Sequence, residues 1–111
     1  MLKILLVDDE PIFRMGLRSG ISWEAEGCKI VGEAKNGEEA LLMIDEKKPD
    51  LVLLDLKMPK VDGIEVLRKM KNRKIKPKFI VLSCFNEYEY VREAMKLGAC
   101  DYLFKPLMEG K

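Results

Sequence analysis

Short apolar runs alternate along the chain with longer stretches in which apolar residues recur at helical spacing. The runs lie at 2–7, 51–54 and 78–83, and the less apolar segments 29–34 and 100–104 are predicted to be strands as well. Such short, nearly unbroken runs are typical of strands buried on both faces of a parallel sheet. The stretches between them predict four helices, with inward-facing residues at three- and four-residue spacing: Phe13, Leu17 and Ile21; Ala40, Leu41 and Ile44; Ile64, Leu67 and Met70; Tyr88, Val91 and Met95.

Turn residues support this alternation. Asn36 and Gly37 are typical of a turn that opens the second helix, and Leu97-Gly98 of a helix C-cap. Strands that alternate with helices of this length require right-handed crossovers and a parallel sheet. The sequence therefore predicts one α/β domain over residues 1–111, a doubly wound five-stranded parallel sheet whose last helix is missing or truncated.

Composition excludes several classes of protein. The formal net charge of +1 provides no long-range field for nucleic acid or an anionic membrane, and no apolar run approaches the roughly 20 residues of a membrane span. The first residues enter a strand without a cleavable signal pattern. Three cysteines, in no metal or redox spacing, are predicted to be small buried hydrophobes in a reducing compartment. We expect a cytoplasmic protein.

The chain contains no histidine. A Ser–His or Cys–His nucleophile, a histidine metal ligand and a phosphohistidine are therefore excluded on these residues. Any metal bound here must be a hard cation held by oxygen atoms.

Polar residues stand at the carboxyl ends of four predicted strands: Asp8 and Asp9, Asp55, Ser83 and Lys105. Each alone has an ordinary explanation, as a helix N-terminal charge, an N-cap or a surface lysine. Together they lie along one sheet edge, where open α/β folds place their sites. Three carboxylates repel one another unless a cation such as Mg²⁺ lies between them. With an ammonium and a hydroxyl, this set suits phosphoryl transfer to Asp55, the central carboxylate.

In these residues the chain resembles the receiver domain of bacterial two-component response regulators. The resemblance rests on five segments in this order: Val7-Asp8-Asp9-Glu10; Asp55-Leu56-Lys57-Met58-Pro59 with Asp62-Gly63; Leu82-Ser83; Gly98-Ala99; and Tyr102-Leu103-Phe104-Lys105-Pro106. It extends along essentially the whole chain up to the missing last helix, and it implies the flavodoxin-like strand order 2-1-3-4-5. The stretch from Asn86 to Pro106 further resembles receivers joined to AraC-type helix-turn-helix domains.

The resemblance implies a role for each site residue. Asp55 accepts a phosphoryl group from a sensor histidine kinase, and Mg²⁺ is held by Asp8, Asp9, Asp55 and the main-chain carbonyl of Lys57. Ser83 and Lys105 contact the phosphoryl oxygens. The remaining expectation is that Ser83 and Tyr102 form a switch that gives the surface of the fourth helix and fifth strand two states.

The resemblance also implies the partners and the output. The expected partners are the kinase and a second copy through the fourth-helix/fifth-strand face. DNA is expected as a partner only through an output domain that controls transcription and is absent from this chain. No membrane partner is expected, and no enzymatic activity beyond self-phosphorylation and slow self-dephosphorylation.

Several positions depart from the family pattern. Ser83 replaces the commoner threonine, Cys84 is larger than the usual residue, and Lys57 and Phe85 flank the position of the attacking water, where we expect them to tune hydrolysis. Without a last helix, we expect parts of the first and third strands, at 2–7 and 51–54, to face water, which favours either association or a truncated, destabilised domain.

Three other functions compete with this interpretation. An aspartate-nucleophile phosphatase usually has a second acid two residues after the nucleophile, where this chain has Lys57. A flavodoxin-like FMN protein needs a hydroxyl- and glycine-rich loop after the first strand, where this chain has Asp8-Asp9-Glu10-Pro11. An unphosphorylated interaction module is the third.

A basic cluster lies at the end of the third helix: Arg68, Lys69, Lys71, Arg73, Lys74, Lys76 and Lys78. Cations suit a helix C-terminus, so a solvated end is the default interpretation. Docking to an acidic partner is the alternative, with contacts to DNA phosphates less favoured because aromatic platforms are lacking.

Overall fold

The computed structural model describes residues 1–84 and 86–105. Five strands form the sheet: β1 (Leu2–Val7), β2 (Cys28–Ala34), β3 (Leu51–Asp55), β4 (Lys78–Ser83) and β5 (Asp101–Phe104). Four helices connect them: α1 (Pro11–Gly20), α2 (Gly37–Lys47), α3 (Gly63–Met70) and α4 (Tyr88–Lys96), with one 3₁₀ turn at Glu24–Glu26. The strands are parallel and lie in the order β2-β1-β3-β4-β5, which confirms the predicted fold class.

The hydrophobic core lies on both faces of the three central strands. Alternate residues of a strand point to opposite faces, so Leu5 and Val7 of β1 pack on the side of α2 and α3, while Ile4 and Leu6 pack with Leu17 of α1. The side chains of Ile4, Leu5, Leu6 and Val7 are all fully buried. This two-sided burial explains why the central strands are uninterrupted apolar runs.

Two helices begin at side-chain caps. Asn36 accepts a hydrogen bond from the Glu39 backbone N–H at 2.8 Å, and Asp62 accepts one from the Glu65 N–H at 3.0 Å. Gly37 lies so close to the backbone of Val61 that a Cβ atom there would overlap the Val61 carbonyl oxygen. The predicted turn at Asn36-Gly37 is thereby confirmed, and it brings the start of α2 against the loop before α3.

Some sequence-based details were wrong. Ile21 lies beyond the end of α1 and is 38% exposed. In α4 the predicted inward residues Tyr88 and Met95 are exposed, and the buried residue is Ala94. The cysteines are not buried either: Cys28 and Cys84 are half-buried, and Cys100 is exposed. The α4 error arises because spacing identifies an apolar stripe without showing whether another element covers it. Ile21 was misplaced because α1 ends at Gly20, and the cysteine expectation came from the general tendency of free cysteines to be buried.

The expected exposure of β1 and β3 was also wrong for most of their length. Ile4 and Leu6 are fully buried and Leu53 is 5% exposed, because α1 and its neighbouring side chains cover this face. Apolar exposure is instead found at the start of β1, on the outer side of α1 and along β5, where Leu103 is 42% exposed. The expectation of a missing last helix concerns residues 106–111, which lie outside the described part of the chain. Within that part, no helix has the length and apolar character needed to cross a bilayer.

Candidate phosphoryl-acceptor site

The parallel topology brings the predicted site residues to one edge of the sheet. Asp8 follows β1 directly, Asp55 is the last residue of β3, Ser83 is the last residue of β4, and Lys105 follows β5. Because β1, β3, β4 and β5 are neighbours in that order, their carboxyl ends form a continuous row. The convergence predicted from the sequence is therefore confirmed in the geometry.

Three carboxylates form the centre of the site. Asp8, Asp9 and Asp55 each present an oxygen atom, and these oxygens all lie within 4.8 Å of one another. The residues Asp8 and Asp55 are 0% and 2% exposed. Buried carboxylates at this spacing repel one another strongly unless a positive charge lies among them.

The Lys105 ammonium is the cation that these acids share. Its Nζ lies 3.2 Å from Asp8 Oδ2, 3.3 Å from Asp55 Oδ2 and 2.7 Å from Glu10 Oε1. It also lies 5.0 Å from the centre of the Phe13 ring, within the range of a cation–π contact. The side chain is only 11% exposed, so its charge acts in a partly desolvated environment.

The ionisation of the site reflects burial and this charge arrangement. Burial, together with the nearby charge of Asp8, raises the pKa of Asp55 from 3.8 to about 7 although Lys105 opposes the shift. Burial also raises the pKa of Asp8. Burial lowers the pKa of Lys105, but the hydrogen bond from its ammonium to Glu10 and the charges of Asp55 and Asp8 outweigh that effect, so this pKa is raised overall. Near neutral pH, the negative charge of the acidic side chains in the site therefore exceeds the single positive charge of Lys105.

Two buried oxygen atoms at this edge form no hydrogen bond among the described residues: Ser83 Oγ, and Asp8 Oδ2, whose contact with the Lys105 ammonium at 3.2 Å is an ion pair. Buried polar atoms are normally satisfied, and an exception calls for an explanation such as a water, an ion or a functional role. Three carboxylates at this spacing fit a hard divalent cation such as Mg²⁺, whose usual protein ligands are one or two carboxylates plus main-chain oxygen and water. The unpartnered hydroxyl is available to a further anionic group.

Backbone contacts fix the position of Asp55. The Leu56 N–H donates to the Leu82 carbonyl at 3.2 Å, and the Gly63 N–H donates to the Leu56 carbonyl at 2.9 Å. Gly63, the first residue of α3, lies against Asp55 so closely that a Cβ atom would overlap the Asp55 carbonyl oxygen. Only glycine permits this approach, which holds the start of α3 and the end of β3 together.

The structure places the remaining predicted residues farther from this centre. The Lys57 side chain is exposed, with its ammonium 5.2 Å from the centre of the Tyr90 ring on α4. Tyr102 is 41% exposed and packs edge-on against Phe104 with ring centres 5.5 Å apart. The two rings form one wall of a groove of about 410 Å³ whose other wall is α4, including Val91 and Met95. Phe85 and Pro106 lie outside the described residues.

Sequence reasoning missed two residues that contribute to the site. Glu10, treated as part of a motif, forms the shortest ion pair of Lys105. Arg14 donates from its guanidinium to the Asp8 carbonyl and to Glu33 Oε1, the latter at 3.0 Å, which ties α1 and β2 to the acidic loop. The Asp-Asp-Glu run signalled Glu10 as a candidate, but no pattern linked Arg14 to the site.

Comparison with known proteins identifies the family. The sequence matches the response regulator receiver domain over residues 4–111. The chain belongs to this family. It is 47% identical over 109 residues to the uncharacterized transcriptional regulatory protein YesN of Bacillus subtilis, covering 98% of this chain and 30% of that protein. It is 41% identical over 104 residues to the nitrate/nitrite response regulator NarL of Escherichia coli K12, covering 94% and 48%.

Solved structures agree with this assignment. The receiver domain of AraT, a response regulator from Geobacillus stearothermophilus, superposes with a TM-score of 0.87 at 36% identity, covering 95% of this chain and 81% of that one. The response regulator domain of Thermotoga maritima CheB gives 0.84 at 34% identity, with coverage of 96% and 79%. This receiver domain spans half or less of the length of the two curated relatives, so it corresponds to one part of those proteins.

Proposed function

We propose that Asp55 accepts a phosphoryl group from the phosphohistidine of a sensor histidine kinase, in a Mg²⁺-dependent reaction, and that the domain thereby switches an output. The observation that carries the proposal is the convergence of three acids, the Lys105 ammonium and the unpartnered Ser83 hydroxyl at one sheet edge. Membership of the receiver family supports the same conclusion.

In the proposed reaction, a carboxylate oxygen of Asp55 forms a bond to phosphorus while the bond from phosphorus to the imidazole nitrogen of the donor breaks. The product is an acyl phosphate on Asp55. Asp8, Asp9, Asp55 and the main-chain carbonyl of Lys57 would hold Mg²⁺, which when bound neutralises charge on the carboxylates and the phosphoryl oxygens. The raised pKa of Asp55 explains the need for such a cation, because only the ionised carboxylate is a nucleophile.

Lys105 and Ser83 stabilise the transferred group. The Lys105 ammonium leaves Glu10 and pairs with a phosphoryl oxygen, since that group carries about −1.5 to −2 charges. The buried Ser83 hydroxyl donates a hydrogen bond to a second oxygen and so gains the partner that it lacks. Both movements pull the ends of β4 and β5 towards Asp55.

The output follows from these movements. Ser83 lies beside Phe104 in the register of β4 and β5, and Phe104 packs against Tyr102. A shift of Ser83 therefore changes the packing of both rings and the groove that they share with α4. We take this face as the switch surface and as the contact for a second copy of the domain. Hydrolysis of the acyl phosphate, which Lys57 and Phe85 are expected to tune, resets the switch; no diffusible substrate is turned over.

The wider setting is part of the same proposal. YesN and NarL are described as a transcriptional regulatory protein and a response regulator, and this domain matches one part of each. We propose a cytoplasmic domain that controls transcription through a DNA-binding output domain outside this chain, with a sensor histidine kinase as its partner.

Intact mass spectrometry tests the proposal. Incubation with MgCl₂ and acetyl phosphate should add one phosphoryl group that is stable in acid and labile in alkali. Asp55→Asn should abolish the addition because the nucleophile is lost, whereas the matched variant Asp50→Asn, at the opposite end of the same strand, should leave it unchanged. Equal phosphorylation of Asp55→Asn, or no phosphorylation of the wild type by acetyl phosphate and by phosphorylated kinases, would refute the proposal.

A further inference from the structure

The loop between α3 and β4, together with the first residue of β4, carries a dense positive charge that the phosphoryl-acceptor site does not use. Residues 71–78 include five cations: Lys71, Arg73, Lys74, Lys76 and Lys78. The loop has a defined conformation, since the Arg73 guanidinium lies 2.6 Å from Asp45 Oδ1 and the Lys76 ammonium donates to the Lys71 carbonyl at 2.7 Å.

Most of this charge is uncompensated. Among the described residues, Arg73 is the only one of the five cations that forms an ion pair with a carboxylate. The lysines of the loop are exposed, and the nearby acid Asp50 is already engaged by the backbone N–H of Lys3 at 2.7 Å. The surface therefore attracts negative charge from outside the domain.

An apolar centre lies within this basic loop. Ile75 is 91% exposed, the highest exposure among the large apolar side chains of the described residues. It borders a groove of about 690 Å³ at the amino ends of the central strands, whose apolar lining includes Leu2, Ile44, Pro49, Leu51 and Pro77. An apolar centre surrounded by a charged rim is typical of a protein–protein interface.

We propose that this face docks an acidic segment of a partner protein, with a large apolar side chain in the groove beside Ile75 and carboxylates on the lysines of residues 71–78. Charge complementarity favours an acidic partner, and the apolar groove favours a protein over a nucleic acid. Binding of single-stranded nucleic acid uses aromatic side chains for stacking, and residues 71–78 contain none. Duplex DNA would gain nothing from Ile75 or the groove, since phosphate contacts need only the cations.

The position of this face separates it from the phosphoryl-acceptor site. The groove is lined by Leu2, Leu51 and Lys78, the first residues of β1, β3 and β4, whereas Asp55 and Ser83 are the last residues of β3 and β4. A partner seated here leaves Asp55 accessible. The two surfaces can therefore be occupied at the same time, and the proposed docking does not depend on phosphorylation.

Fluorescence anisotropy with a defined probe tests the proposal. The probe is a short labelled peptide in which glutamates flank a leucine–phenylalanine pair, and we expect it to bind the wild-type domain. Loss of the apolar contact in Ile75→Ser should weaken binding about tenfold or more. The combined charge reversal Lys74→Glu and Lys76→Glu should abolish it. Binding should be equal with and without acetyl phosphate and Mg²⁺, which distinguishes this site from the proposed phosphorylation.

Matched controls separate this proposal from general charge attraction. Ile12→Ser and Lys35→Glu alter exposed residues elsewhere on the domain and should leave binding unchanged. A second peptide has serine and asparagine in place of the apolar pair. The wild-type domain should bind this peptide as weakly as the Ile75→Ser variant binds the original peptide. The proposal is overturned if the wild type does not bind the probe, if Ile75→Ser binds it normally, or if duplex DNA or phosphatidylglycerol vesicles bind more tightly than the peptide.

Discussion

Two aspartates at opposite ends of β3 have opposite environments. Asp50, just before the strand, is exposed, and its Oδ2 accepts a hydrogen bond from the Lys3 backbone N–H at 2.7 Å. Asp55, at the end of the strand, is 2% exposed and shares the Lys105 ammonium with two other acids. The first carboxylate stabilises a chain crossing; the second is held in a charge arrangement that destabilises the fold and favours binding of a cation.

The two edges of the sheet extend this contrast. At the amino edge, the Asp50 N–H donates to the Lys3 carbonyl at 2.8 Å and the Lys78 N–H donates to the Asp50 carbonyl at 3.0 Å, so the backbone is satisfied. At the carboxyl edge, Ser83 Oγ forms no hydrogen bond among the described residues, and the contact of Asp8 Oδ2 there is its ion pair with Lys105. The amino edge therefore stabilises the fold, whereas the carboxyl edge, where ligands are expected, lowers its stability.

The largest expected effect is on stability, and it has opposite signs for the same substitution at the two ends of β3. Asp55→Asn should stabilise the metal-free domain above pH 7, because ionisation of a carboxyl whose pKa is raised from 3.8 to about 7 opposes folding. The gain in the free energy of unfolding should not exceed roughly 4 kcal/mol, because each tenfold change in proton affinity corresponds to about 1.4 kcal/mol. Asp50→Asn should destabilise by about 1 kcal/mol or less, because a charged acceptor is replaced by a neutral one. Urea denaturation measures both.

The pH dependence provides the control for this prediction. Between pH 4 and 7 the folded domain holds a proton on Asp55 that the unfolded chain has released, so wild-type stability should fall as the pH rises through this range. In Asp55→Asn the fall should be smaller, while Asp50→Asn should follow the wild type. A wild-type stability that rises steadily from pH 4 to 7 would contradict the assigned environment of Asp55.

Binding of Mg²⁺ at the carboxyl edge should stabilise the folded domain and so reduce the difference in stability between the two edges. An ion that binds only the folded domain raises its free energy of unfolding by about 1.4 kcal/mol when its concentration is tenfold above the dissociation constant. We expect this gain in the wild type and in Asp50→Asn, and its loss in Asp55→Asn and on addition of EDTA. Thermal denaturation with and without MgCl₂ makes the measurement. An equal gain in Asp55→Asn would place the ion elsewhere.

The smallest expected effect on stability is that of Glu10→Gln. This variant tests directly whether Glu10 restrains the Lys105 ammonium. Glu10 is 61% exposed, so the loss of its ion pair with Lys105 should cost about 1 kcal/mol or less. Phosphorylation by acetyl phosphate should nevertheless accelerate a few-fold, because Lys105 no longer has to leave Glu10. The exposed acid Glu38 supplies the matched control, Glu38→Gln. A rate equal to or below that of the wild type would show that Glu10 does not restrain Lys105.

The sequence was sufficient to predict the sheet and the four strand-end contributions to the site. Parallel connectivity determines that Asp8, Asp55, Ser83 and Lys105 share an edge, whatever the details of packing. The ion pair between Glu10 and Lys105 could not be predicted, because it depends on the reach of two flexible side chains 95 residues apart.

The surface of α4 escaped prediction for a related reason. Its residues have regular helical spacing, yet Tyr88 and Met95 line an open groove with Tyr102 and Phe104 rather than the core. Periodicity reports which side chains share a face of a helix, and only the arrangement of neighbouring elements determines whether that face is covered.

The residues of the site are far apart in the sequence, so the site is completed only late in the synthesis of the chain. Lys105 and Asp8 are 97 residues apart, and β1, β3, β4 and β5 have to be in place side by side before they meet. A nascent chain that has not yet released β5 from the ribosome carries the acids without their ammonium. Under the proposed function, a chain that ends before β5 also lacks Lys105 and should be a poor phosphoryl acceptor.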